Sequence, residues 1–219
     1  MSDNGSSDNV DQSGTSGTGG DTKEKNDTKT PIHEGGQHKN DPKHSEIVMF
    51  ESGKKHVVQL KDLFTNKTVL MKGAPGVGKT FQTKMFMTNW AKGNSNQHIK
   101  ALVTFDFTEL NTKKDEEKSM KSLLDDFFRK KNVAVSNDDK KKTCFILDGL
   151  EKCELPLDFV KNKEVKDLKE AASMDVLLTN LIKGNLLPDA HIWIISQPKG
   201  VDKIPSEYIN KTVQCQGKN

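Results

Sequence analysis

The sequence predicts an α/β protein: a three-layer sandwich with a mostly parallel, five-stranded sheet between two layers of helices. Three observations carry that expectation. From residue 68 onward, short apolar runs alternate with longer amphipathic ones, the rhythm of strand–helix–strand units whose strands are covered on both faces. A glycine-rich octad, Gly73 to Thr80, sits where one such run hands over to a helical pattern. Apolar residues are also unevenly spread. Residues 1–44 hold only Met1, Val10 and Ile32 of that set, so the overall 32% is concentrated downstream, enough for one core and not two.

Taken in order, residues 1–44 read as a disordered polar tail of Ser, Gly, Asp, Asn, Thr and Lys, too poor in apolar groups to offset the entropy of ordering. The tail carries five lysines against eight acids. With +3 for the whole chain, residues 45–219 therefore hold +6. Residues 45–66 form a flanking lead-in, with Ile47–Phe50 and Val57–Leu60 as short strand or helix pieces, and residues 67–219 form the core. The first core strand is Thr68–Lys72, followed by a helix over Lys79–Lys92 whose Phe81, Met85, Phe86 and Trp90 are spaced to pack on the sheet. Ala101–Phe107 alternates as a second strand, and Ser119–Lys131 is a helix with Met120, Leu123, Leu124, Phe127 and Phe128 on one face. Asn137–Lys141 reads as a turn. Thr143–Leu147 is a fully apolar central strand ending in Asp148. A helix over Met174–Ile182 is broken by Gly184 and Pro188, then His191–Ile195 is a buried strand ending at Ser196, and Lys211–Gln216 a last one.

Gly73, Ala74, Pro75, Gly76, Val77, Gly78, Lys79 and Thr80 spell G-x-x-x-x-G-K-T between strand and helix, the phosphate-binding loop. Glycines let the backbone wrap an anion, and the helix that follows adds the positive end of its dipole. Lys79 is placed to reach the β- and γ-phosphates, and Thr80 to put its hydroxyl on Mg²⁺. Asp148, closing an apolar strand downstream, stands where a P-loop NTPase holds the same ion. The expected ligands are therefore ATP or ADP with Mg²⁺. A small GTPase would need N-K-x-D, and Asn162-Lys-Glu-Val165 lacks the Asp. A P-loop kinase would need several arginines around the transferred phosphate, and Arg129 is the only arginine. Lys140–Lys142 beside Asp138 and Asp139 reads as solvated loop, so no nucleic acid is expected as partner. Three cysteines without metal spacing, no leader-like apolar region and no long apolar stretch suggest a cytoplasmic protein with reduced thiols and no membrane partner.

The run Phe145-Ile-Leu-Asp-Gly-Leu-Glu-Lys-Cys-Glu-Leu-Pro-Leu-Asp-Phe159 resembles the extended Walker B segment of the NACHT family, which usually reads D-G-L-D-E. Ser136–Lys140 before it and Asp175–Pro188 after it resemble the fish-expanded group of NOD-like receptors. The resemblance implies a STAND-type P-loop NTPase: an ATP/ADP switch that controls self-association, or association with other NOD-like receptors, in a cytosolic innate-immune regulator of the inflammasome kind. It assigns catalytic roles to Asp148 and Glu151, and a nucleotide-side role to Ser196, where the family's T-S-R-P reads Ile195-Ser-Gln-Pro198. It places adenine contacts in Val57–Phe64.

The same comparison exposes departures. Lys152 stands where the family has a second acid, credited with orienting the attacking water, and Gln197 replaces an arginine. A general base is worth ~10²–10⁴ in rate and a charge-stabilising donor ~10²–10³, so weak or absent hydrolysis is expected while nucleotide binding survives. The family continues into a helical domain, a winged helix and usually leucine-rich repeats, none present here. The chain is thus expected to be a fragment or short isoform truncated after the nucleotide-binding core, with a non-catalytic decoy or interaction fragment as the alternative.

Overall fold

The computed structural model describes residues 45–217. The tail expected over residues 1–44 and the last two residues of the core lie outside them. Among the described residues nine strands and five α-helices follow in order: β1 (Ser45–Glu51), β2 (Lys54–Val57), β3 (Thr68–Lys72), α1 (Lys79–Ala91), β4 (Ala101–Asp106), α2 (Phe107–Asn111), β5 (Glu117–Ser119), α3 (Met120–Lys130), α4 (Asn137–Lys141), β6 (Thr143–Asp148), β7 (Ala171–Ser173), α5 (Met174–Lys183), β8 (His191–Ser196) and β9 (Lys211–Gly217).

The five parallel strands expected from the apolar runs lie side by side as β9-β3-β8-β6-β4. The lead-in extends this sheet. Its hairpin, β1 with β2, pairs antiparallel onto β9 and brings the total to seven strands. Alternation along β8 shows how the layers form. Ile192 and Ile194 join one apolar cluster with Leu124 and Phe128 of α3 and Leu177 and Leu181 of α5. Trp193 and Ile195 point the other way, to a cluster with Phe86 of α1 and Leu63 and Phe64 of a 3₁₀ turn over Leu60–Thr65. Both sheet faces are dry, which is why the central strands read as unbroken apolar runs.

Two local readings change. Asn137–Lys141 is one turn of helix and not an open turn, because Ser136 caps it: its Oγ accepts from the Asp139 amide (3.0 Å) and donates to the Asp139 carboxylate (2.8 Å). α1 turns a different face inward from the one its large residues suggest. Gln82, Thr83 and Phe86 are buried, while Met85 is 40% exposed and Phe81 half-buried. The buried Gln82 amide is satisfied from afar, donating to the Ser45 carbonyl (2.8 Å) and hydroxyl (2.9 Å) of β1. A small antiparallel ribbon, β5 with β7, ends in Ser119 and Ser173, which cap α3 and α5.

Candidate functional site: the carboxyl ends of the central strands

Parallel register brings the candidate residues to one edge of the sheet. Lys72 lies opposite Ser196, Ile195 opposite Asp148, and Asp148 opposite Asp106. The ends of β3, β8, β6 and β4 thus form one row, with the loop of Gly73–Lys79 rising from its middle.

That loop is fixed from below. The Gly73 amide donates to the Ser196 carbonyl (3.1 Å), and the buried Val77 side chain packs with Val213 and Cys215. A methyl group on Gly73 would come within 2.8 Å of the Cys215 carbonyl oxygen and 2.9 Å of Val77 Cγ1, so glycine is required by the approach of β9. Gly76 has open space instead, and its glycine serves a left-handed φ of +74°. Gly78, at φ 105°, occupies the N-cap of α1 with no side chain bonded back. The first-turn amides of α1 are therefore left to whatever binds there, which is the arrangement an anion requires.

Lys79 lies across its own loop. Its Nζ donates to the carbonyls of Gly73 (2.7 Å) and Ala74 (2.8 Å). An ammonium has three donors, so two brace the loop and one is left for a phosphate oxygen. Thr80, one residue on, is exposed in the first turn of the helix.

Asp148 is half-buried at the end of β6. Burial pushes its carboxyl above the usual range, and the charges of Asp106 and then Glu151 add to that, while the Gly149 amide and Lys152 pull it back. Two carboxylates on neighbouring strand ends without full compensation form a setting that a divalent cation relieves. No group of three or more His, Cys, Asp or Glu able to hold a metal occurs among the described residues. Any Mg²⁺ here would draw its remaining ligands from phosphate and water, its usual habit. Asp106 escaped the sequence reading because it completes the alternation of β4. The available signal was Asp106-x-Thr108: its carboxylate caps α2 by accepting from the Thr108 amide (2.7 Å).

Glu151 and Ser196 occupy supporting positions. One oxygen of Glu151 accepts from the Gln197 amide (3.0 Å). A Cβ on Gly200 would lie 2.6 Å from Glu151 Cα and 2.6 Å from Ser196 Oγ, so the 3₁₀ turn over Pro198–Lys203 is seated directly on that over Leu150–Lys152. Ser196 is fully buried, its hydroxyl donating to the Gln197 carbonyl (2.8 Å). Its carbonyl accepts from the Gly73 amide, so it adjoins the base of the loop. Lys152 is exposed, its side chain folded back toward Gly149. Beyond Thr80, a 510 Å³ depression runs between α1, at Phe81, Gln82 and Met85, and the stretch Val57–Lys61.

A parallel sheet with a lysine-braced glycine loop on its central strand, beside a strand-terminal aspartate, defines a P-loop NTPase fold. The chain belongs to the NACHT-domain family, whose model matches residues 67–217. Among similar proteins, Protein NLRC3 of Mus musculus is 31% identical over 147 residues, 66% of this chain and 14% of that protein. NLR family CARD domain-containing protein 3 of Homo sapiens is 32% identical over 150 residues, 67% of this chain and 14% of that protein. NACHT, LRR and PYD domains-containing protein 3 of Mus musculus is 26% identical over 140 residues, 63% of this chain and 13% of that protein. The matched stretch thus spans about one seventh of these relatives. Among the described residues no helix is long and apolar enough to cross a membrane.

Proposed function

We propose that this chain is an ATP- and ADP-binding NACHT module whose bound nucleotide sets its conformation and whose hydrolysis is weak or absent. The observation that carries the binding claim is the first turn of α1, left without a side-chain cap by Gly78 and bordered by a lysine with one donor to spare. The amides of Gly76, Gly78 and the first turn of α1 would hold the phosphates, Lys79 would contact the terminal phosphates, and Thr80 with Asp148 would hold Mg²⁺. The ion's contribution is to neutralise phosphate charge. The depression between Phe81 and Val57–Lys61 is the proposed seat of the base.

Weak turnover follows from the neighbours of Asp148. Glu151, the nearest acid along the chain, already accepts the Gln197 amide, and the next position is the cation Lys152. A base engaged in holding a loop and a positive charge beside it leave little to activate water. The kinship with NLR proteins supports a place in a NOD-like receptor-type innate immune regulator, acting in the cytoplasm through association with itself or with related receptors. A decoy that binds such receptors without turnover is the reading that Lys152 and Gln197 favour over an active ATPase.

Substituting Lys152→Glu together with Gln197→Arg tests the catalytic half of the proposal. Hydrolysis of radiolabelled ATP should rise by roughly tenfold or more, as expected for restoring a base and a charge-stabilising donor. If the unsubstituted chain already turns over as fast as the double variant, the proposal of impaired hydrolysis is wrong.

A further inference from the structure

The two edges of the seven-stranded sheet are unlike. At one end β2, Lys-Lys-His-Val, is fully exposed and carries two lysines, the usual protection of a free edge. At the other end β4, Ala-Leu-Val-Thr-Phe-Asp, has no basic residue in the strand and, among the described residues, pairs on one side only, with β6. Its outer side therefore presents alternate peptide N–H and C=O groups that the sheet does not use.

The space beside that edge is shaped. A depression of 440 Å³ opens between Trp90 of α1 and Phe127 of α3, with Leu102 of β4 as its floor and Val133, 53% exposed, at its margin. A second, of 260 Å³, adjoins it and shares Thr104, Phe127 and Lys131. Together they form a trough along the open strand, apolar at the Trp90 end and lined by charged side chains at the other. Its rim is basic. Lys113 and Lys118 are paired with Glu109 and Glu116, but Lys100, Lys130 and Lys131 are in no ion pair among the described residues. Lys100 donates to the Gln97 carbonyl, and Lys131 lies 6.0 Å from the Phe127 ring centre.

We propose that the open edge of β4 is a docking site for an extended segment of a partner protein in which acidic and apolar residues alternate, added to the sheet as an eighth strand. Main-chain pairing supplies the attraction, alternate apolar side chains enter the apolar end of the trough, and the intervening carboxylates meet the three lysines that are in no ion pair. A second copy of this chain is a poorer occupant, because two such rims would meet with like charge. The site is remote from the phosphate loop in the sheet order, with β6 and β8 between, so the proposal stands apart from the nucleotide reading.

The probe is a synthetic peptide, fluorescein-(Glu-Val)₄-amide, titrated with the full chain and followed by anisotropy. Binding should saturate, and Lys130→Glu with Lys131→Glu should weaken it about tenfold or more, the loss of one to two charge-assisted contacts. The companion peptide (Lys-Val)₄ should not bind. Two further peptides carry N-methyl groups on alternate amides, one on each set. One set faces β4 and its methylation should abolish binding, while the other should bind as the parent does. Equal binding by both methylated peptides would reduce the effect to charge attraction and overturn the proposal. So would failure of the parent peptide to bind, or sedimentation of the chain as a dimer that the two lysine substitutions strengthen while peptide binding stays undetectable.

Discussion

Replacing Gly73 by alanine would set a methyl carbon 2.8 Å from the Cys215 carbonyl oxygen and 2.9 Å from Val77 Cγ1. Ordinary contacts begin near 3.4 Å, so the loop or β9 must yield by roughly half an ångström. Neither yields freely: β9 is hydrogen-bonded to both β1 and β3, and Gly73 to Ser196. Overpacking of this kind costs about 1–3 kcal/mol. For a folded unit of this size each kcal/mol moves the melting temperature by about 2–4 °C, giving a fall of roughly 2–12 °C for Gly73→Ala. Thermal unfolding followed by far-ultraviolet circular dichroism reads that fall. Gly76→Ala is the control. It meets no atom but takes a left-handed φ, costing about 1–2 kcal/mol without touching β9. Amide exchange in Val213–Gly217 should therefore accelerate in the Gly73 variant only. A Gly73→Ala chain that melts with the parent and keeps its β9 protection would refute the close approach as the reason for glycine.

Asp148→Asn removes a carboxylate raised by burial and by Asp106, so it should increase the melting temperature at neutral pH while abolishing the Mg²⁺-dependent part of nucleotide affinity; paired melting and binding curves check both. His191 gives a pH signature. Its pKa is depressed below the ordinary 6.5 by burial, with the nearby His98 and Lys67 charges adding to this and the Asp189 backbone opposing it. The folded state thus favours neutral imidazole. Stability is complete above the unfolded value and is lost as pH falls through 6.5 toward the depressed value. Melts at pH values on either side of 6.5 should show this loss, and His191→Gln should flatten it.

The parallel core was legible because its strands are covered on both faces. Thr143–Leu147 and His191–Ile195 could be little else, and G-x-x-x-x-G-K-T fixed the strand–loop–helix junction between Thr68 and α1. What escaped was set by distant partners. β2 has no inward-facing residue, and β1 is held by a strand at the far end of the chain, through pairs such as Ile47 with Cys215. α1 buries Gln82 only because Ser45 arrives to accept its amide hydrogens, which no local pattern announces. At the site the loop and Asp148 were readable from spacing. The parts played by Ser196 and Glu151 depended on the seating of one 3₁₀ turn on another through Gly200. Asp106 became visible only once register set it beside Asp148.

The loop of Gly73–Thr80 is proposed to bind nucleotide and barely spend it. The direct measurement is calorimetric titration of the purified chain with ATP and with ADP in the presence of Mg²⁺, with phosphate release followed in the same samples and Lys79→Ala run in parallel. Both nucleotides should bind, release should be near background, and Lys79→Ala should weaken binding by roughly 30-fold or more, the loss of about 2 kcal/mol of charge-assisted hydrogen bonding. Absence of binding by the parent chain, or equal affinity in the Lys79→Ala variant, would contradict the claim.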